Sequence, residues 1–387
     1  MDSDERYMWV ALDLARQGRG KTSPNPMVGA VLVRDGEVVG TGFHEKAGTR
    51  HAEVIALQEA GQKARGATLY TNLEPCCHQG RTPPCVDAII NAGVRKVVIA
   101  STDPNPLVSG KGVRKLQDAG IKVKVGVLEE KARRLNEVFF KYITTKKPFV
   151  AVKTAMTMDG KIATSLGKSR WISGEKSRKF VHCLRSTADG IMVGINTVLR
   201  DDPRLTVRLD GKKGPDPVRI IIDSKGRLPL ESRIVKTASE TKTILATTEF
   251  APPNKLETLR TCGVEVMLLP SKRDQVDLQE LMSALGEKEI CNILVEGGGT
   301  LNYSLLAENI IDKFYIFIAP LLIGGEKAPT LLEGVGVGTL EEAWAVENIE
   351  MKQLDNDLLI IGYPVRRKEV VYRDSGRIGG SIRSATC

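Results

Sequence analysis

His51, Glu53, Cys76 and Cys85 are the residues of this 387-residue chain whose types and spacing could do chemistry. One imidazole and two thiolates supply three ligands for zinc and leave the fourth tetrahedral position to water, whereas a closed structural site would want a fourth protein ligand. Zinc lowers the pKa of such a water toward neutrality. Glu53 stands two residues beyond His51, where its carboxylate can face that water without binding metal. A carboxylate so placed can take the water's proton and pass it to a leaving amine, first as general base and then as general acid. Hydrolytic removal of a ring amine needs that order of proton transfers. Cys77 and His78 compete as ligands and rank below these three.

A second set of capable residues lies beyond residue 148. Ile293 to Thr300 reads as a strand that ends in Glu296-Gly297-Gly298-Gly299 before a helix. Backbone N–H groups at such a helix start can hold phosphate, although glycines serve a tight turn equally well. No Gly-x-Gly-x-x-Gly follows the first strand of this half, so the common dinucleotide fingerprint is missing. Arg185 and Arg208 carry guanidinium groups able to grip a phosphate bidentately. Trp171, taken alone, reads as a core residue. Asn25, His44, His78, Arg81, Asp103 and Asn105 surround the metal motifs in sequence, and each taken singly is an ordinary turn or cap residue.

Zinc nucleobase deaminases carry H-x-E followed by P-C-x-x-C. This chain departs from that pattern, because eight residues lie between Cys76 and Cys85. The run Cys76-Cys77-His78-Gln79-Gly80-Arg81-Thr82-Pro83-Pro84-Cys85, with His51-Ala52-Glu53 and Asp103-Pro104-Asn105-Pro106, closely resembles the bifunctional deaminase/reductase family of riboflavin biosynthesis. The long spacing is that family's own. Lys153–Ala163, Ser169–Ser173, Arg185 and Thr197–Arg208 resemble its reductase half, so the likeness runs from about residue 4 to about residue 364.

The resemblance implies a cytidine-deaminase-like αβα domain followed by a dihydrofolate-reductase-like α/β domain. It implies Zn2+ on His51, Cys76 and Cys85, with Glu53 as the acid/base. Asn25, His44, His78, Arg81, Asp103 and Asn105 become pocket positions for a phosphoribosyl-pyrimidine. Cys77 stands where the family often has serine, so its role is open. Ala155, Trp171, Thr197, Asp201 and Gly297, Gly298 and Gly299 are implied to contact NADPH. Lys153, Ser169, Arg185, Leu205, Arg208 and Glu296 are implied on the substrate side. NADPH over NADH follows from the resemblance alone, as does a homo-oligomer. Lys153 or Asp201, both ionisable, could assist ring opening or protonation in the reductive step.

These residues need elements to hold them. Asp4–Arg16 reads as an amphipathic helix, and residues 27–34 and 37–42 as a hairpin turning at Asp35-Gly36. His51–Ala60 reads as a helix closed by Gly61, Ala67–Leu73 as a strand into the first cysteines, and Pro84–Asn91 as a helix. Strands at 94–101 and 121–127 flank a helix, and 128–144 reads as one closing helix. A boundary is expected at Thr144–Pro148, giving a deaminase domain 1–145, a reductase domain 146–365 and a basic, disordered tail 366–387. Seven strands are expected after the boundary: 149–156, 190–193, 218–222, 243–246, 264–269, 292–295 and 314–318. Many are continuous apolar runs, as strands buried on both faces require.

Composition is that of an ordinary soluble globular chain, at 42% hydrophobic and 27% charged residues. The longest apolar stretch, Phe314 to Gly325, is too short to cross a bilayer. An acidic start, Met1-Asp2-Ser3-Asp4-Glu5, is unlike an export signal, and three clustered cysteines suit a reducing compartment. A cytoplasmic location is expected. Of the net charge of +9, residues 366–387 hold six Lys/Arg against two Asp/Glu. That places nearly half of the excess on a tail and not on a folded nucleic-acid face. An RNA- or nucleoside-directed zinc deaminase is the competing reading, but it leaves residues 148–364 without a purpose.

Overall fold

A computed structural model describes residues 2–78, 83–105, 108–209 and 216–367. Arg81 and most of the basic tail lie outside the described residues. The chain divides into two compact units, Met1–Lys147 and Pro148–Cys387.

The first unit is built on five strands: β1 (Gly29–Arg34), β2 (Glu37–Phe43), β3 (Thr68–Leu73), β4 (Lys96–Ser101) and β5 (Lys122–Val125), in the order β2-β1-β3-β4-β5. β1 and β2 form the expected hairpin, with Asp35 and Gly36 both at positive φ. Alternate side chains leave opposite faces of the sheet. Leu32, Leu69, Val97 and Ile99 enter one core with the Ala52–Ala60 and Cys85–Asn91 helices. Val31, Val33, Tyr70 and Val98 enter a second core with the Ser3–Arg16 and Glu129–Leu135 helices. A period of two on every strand therefore yields three layers.

The expected closing helix is two helices, Glu129–Leu135 and Glu137–Thr145, broken at Asn136. The break has a polar cause. Asn136 is buried, and its amide pairs with the backbone of Met27, accepting from the N–H at 2.8 Å and donating to the carbonyl at 2.9 Å.

The second unit carries β6 (Phe149–Thr157), β7 (Gly190–Gly194), β8 (Val218–Ile222), β9 (Thr243–Thr247), β10 (Glu265–Leu268), the short pair β11 (Ser271–Lys272) and β12 (Gln275–Val276), β13 (Asn292–Val295), β14 (Lys313–Ala319), β15 (Trp344–Leu354) and β16 (Asp357–Arg366). Nine of these form one sheet, ordered β10-β9-β8-β7-β13-β6-β14-β16-β15, parallel from β10 to β14. The apolar runs are again split by face. Val150, Val152, Met192 and Ile220 join one core, while Ile191, Val193, Ile221 and Leu245 join the other. The antiparallel β15–β16 hairpin was not among the expected strands. Its solvent-facing strand mixes Glu and Lys with apolar residues and lacks the continuous apolar run that marks the central strands.

Candidate active sites

In the first unit the metal-ligating atoms converge. One atom each from His51, Cys76 and Cys85 lies within 4.8 Å of the others. His51 Nδ1 is 3.1 Å from Cys85 Sγ and 3.5 Å from Cys76 Sγ. Tetrahedral zinc with ordinary bond lengths needs N···S edges of about 3.6 Å, so the trio is close to holding the ion already. Three elements deliver it. His51 caps the Ala52–Ala60 helix, Cys76 follows β3, and Cys85 opens the Cys85–Asn91 helix. Cys85 N–H donates to Cys76 Sγ at 3.3 Å and Val86 N–H to Cys76 O at 3.2 Å, which seats the loop on the helix start. Hydrogen bonds from Cys85 and His51 pull the Cys76 thiol pKa down, while the same shared hydrogen and burial push Cys85 up. A zinc ion would replace that hydrogen and leave both sulfurs as thiolates.

Glu53 is 3% exposed, and its Oε2 is buried with no hydrogen-bond partner. Burial pushes its carboxyl above the usual range, against the pull of His51. An orphaned carboxylate oxygen beside two sulfurs and an imidazole is what a metal-bound ligand and its water would satisfy, so the residues fit zinc. Cys77 and His78 stand outside the converging trio. His78 Nδ1 is likewise buried without a partner.

The positions expected to line a pocket are tied down by hydrogen bonds. His44 Nδ1 meets the Arg50 carbonyl at 3.1 Å, so that nitrogen carries the hydrogen, and Nε2 accepts from Asn25 Nδ2 at 3.1 Å. Asn25 is left with its amide oxygen for another donor. Asn72, buried at the end of β3, accepts from Gly29 N–H at 2.8 Å and donates to Met27 O at 2.9 Å. Together with Asn136 it fixes the loop that carries Asn25. Neither was nominated from the sequence, because an asparagine that pairs with backbone leaves no local pattern. Asp103 is buried and raised to about 6, by burial first and then by the charges of Glu74 and Cys76.

In the second unit the nominated residues from Lys153 to Gly299 all line one cavity of about 990 Å³. It lies at the carboxyl ends of β6, β7, β8 and β13, where open parallel sheets receive ligands. Arg185 does not present an open fork. Its Nε and Nη2 donate to Glu296 at 2.6 and 2.9 Å, and its Nη1 donates to Thr206 O at 3.0 Å. Lys153 Nζ stands 3.9 Å from the same Glu296. Burial would raise Glu296, but Arg185 and Lys153 hold it down at about 2. Burial lowers Lys153, and Arg185 adds to the fall.

Trp171 is 67% exposed and forms cavity wall, so it is not the core residue its type suggests. The Arg178 guanidinium lies 4.8 Å from its ring centre. Gly298 caps the Gly299–Ala307 helix without any side-chain bond, and a Cβ on it would point into open space. A helix start whose cap glycine is open on its Cβ side and lines this cavity fits a dinucleotide phosphate. His182 also lines this cavity and was missed. Its spacing of three from Arg185 on one helix face was the available signal.

The chain matches the RibD C-terminal domain over residues 148–360 and the cytidine and deoxycytidylate deaminase zinc-binding region over residues 1–101. It is 47% identical to the riboflavin biosynthesis protein RibD of Aquifex aeolicus (strain VF5), covering 92% of this chain and 97% of that one. The chain belongs to the RibD family. The RibD of Escherichia coli (strain K12) is 44% identical over 84% of this chain and 89% of its own. Among solved structures, Acinetobacter baumannii RibD (form 1) is 38% identical with a TM-score of 0.82, covering 94% of this chain and 99% of that one. A Thermotoga maritima diaminohydroxyphosphoribosylaminopyrimidine deaminase/5-amino-6-(5-phosphoribosylamino)uracil reductase is 38% identical with a TM-score of 0.79 and the same coverage. As a RibD, the chain is a bifunctional zinc-dependent deaminase and NADPH-dependent reductase of riboflavin biosynthesis. The family explains residues 148–360, which a nucleic-acid deaminase left unexplained.

Proposed function

We propose that the first unit deaminates 2,5-diamino-6-(5-phosphoribosylamino)pyrimidin-4-one. The second then reduces the ribosyl chain to ribityl, giving 5-amino-6-(5-phosphoribitylamino)uracil. The observation that carries this reading is the orphaned Glu53 oxygen beside a three-ligand set.

His51, Cys76 and Cys85 would hold the zinc, which when bound supplies a Lewis acid that makes water a nucleophile at neutral pH. Glu53 takes the proton the water gives up and returns it to the departing ammonia, so a ring C–NH2 becomes C=O. His44 pairs with the Asn25 amide nitrogen, which leaves the Asn25 amide oxygen for a ring donor. Asp103, Asn105 and His78 are assigned to the same pocket, as is Arg81, which lies outside the described residues.

In the second unit Gly297–Gly299, Ala155, Trp171, Thr197 and Asp201 would hold NADPH, whose nicotinamide supplies the hydride when bound. Arg208 and Ser169 bind the phosphoribosyl group with Leu205. Arg185 orients Glu296 and keeps it ionised. Lys153, whose half-buried ammonium releases a proton more readily than an exposed one, protonates the opened ribose oxygen, with Asp201 as the other ionisable candidate. A cytoplasmic homo-oligomer is part of this reading.

The test supplies the whole protein with the diaminopyrimidine ribosyl phosphate. Ammonia should appear without NADPH, and NADPH oxidation should begin once it is added. Glu53→Gln should stop ammonia release while retaining zinc, and should still oxidise NADPH when given the deaminated intermediate. Ammonia release by Glu53→Gln at the wild-type rate would refute the assignment.

A further inference from the structure

Glu74 follows β3 immediately before Pro75-Cys76 and takes no part in the chemistry above. It is 3% exposed. Its carboxylate collects three backbone N–H groups: Oε2 accepts from Asp103 at 3.2 Å and Gly110 at 3.0 Å, and Oε1 from Val113 at 3.1 Å. Two of these donors sit at the start of the Lys111–Asp118 helix, whose own cap residue, Gly110, has no side chain to satisfy them. A carboxylate from a separate segment, the loop after β3, caps the helix in its place. The third donor is the backbone of Asp103, just past β4.

Packing brings the same elements together. A Cβ on Gly112, in the first turn of that helix, would come 2.3 Å from Pro75 O and 3.1 Å from Glu74 Oε1. The turn therefore lies directly on the two residues that precede the ligand Cys76. Asp103 in turn accepts from Asn105 N–H at 2.8 Å.

We propose that Glu74 is a positioning residue for deamination, holding the Asp103–Asn105 limb of the substrate pocket in register with the Cys76 ligand loop. This rests on the reading of Asp103 as a pocket residue. The carboxylate is suited to the task because three charge-assisted bonds to N–H groups of two segments fix both segments at once. Its neutral isostere, glutamine, would turn an NH2 donor toward one of these N–H groups.

Glu74→Gln keeps the volume and turns one acceptor into an NH2 group facing backbone donors. In the whole protein it should retain zinc and unchanged NADPH oxidation with supplied deaminated intermediate. Its KM for the diaminopyrimidine substrate should rise about tenfold while kcat changes little. Glu74→Asp, one methylene short but still an acceptor, should fold and recover part of that loss. On an Asp103→Asn background, Glu74→Gln should add less than it does alone. If Asp103→Asn leaves KM unchanged, the pocket reading fails and the inference with it. If Asp103→Asn raises KM but both Glu74 variants keep the wild-type value, even with a lower Tm, Glu74 is only a brace and the inference is overturned. Loss of zinc in Glu74→Asp overturns it too, since the effect would then lie on the metal loop.

Discussion

His182 shows how a single residue reports its surroundings. Its Nδ1 accepts the Arg208 N–H at 3.1 Å, so its neutral form is the one the fold uses. Burial first, and then the Arg185, Arg208 and Lys153 charges, lower it from 6.5 to about 4, against the pull of Glu296. Between those values the unfolded chain binds a proton there that the folded chain refuses. Stability from this site is thus complete above 6.5 and is lost as pH falls toward about 4. His182→Gln should flatten that stretch of the urea-midpoint-against-pH curve relative to wild type. Parallel curves would mean that the imidazole is not excluded from protonation. Glu53 makes the complementary point. The motif alone nominated it, and the fold adds that its Oε2 is buried without a hydrogen-bond partner, as a carboxylate meant to exchange protons requires.

At the scale of elements, the ligands depend on how closely a helix can approach a strand. Gly42 of β2 lies under the Ala52–Ala60 helix, and a Cβ there would come 2.3 Å from Ala52 O and 2.8 Å from Ala56 N. The backbone could not yield without moving the helix that carries His51 and Glu53. Gly42→Ala should therefore cost about 1 to 3 kcal/mol, the usual range for overpacking. It should also weaken zinc retention during dialysis against a chelator. Wild-type unfolding midpoints and zinc content would contradict that account. The hairpin β1–β2, the strand β3 and the parallel runs of the second unit were legible because period-two and continuous apolar patterns are written locally. The break at Asn136 was not, since its partner Met27 lies 109 residues away.

For the whole molecule, two units with separate cores and separate sites should respond separately. Removing zinc with a chelator should stop ammonia release while NADPH oxidation continues on supplied deaminated intermediate. It should lower the unfolding temperature of the Met1–Lys147 unit, because metal bound only to the folded state stabilises it. Loss of both activities together would show that the two sites are coupled. Saturating NADPH should raise the midpoint of the second unit by the same linkage.

Residue types and spacing alone nominated a metal set that the fold brings together, nominated the acid/base, carried the resemblance and marked most central strands, since each is written in short local motifs. Tertiary structure decided the rest. It turned Trp171 outward into a cavity wall, committed Arg185 to Glu296, and gave Glu74 three donors from two other segments. These outcomes depend on which distant groups compete for one hydrogen bond or one volume. That competition exists only once the chain has brought them within a few ångströms of each other.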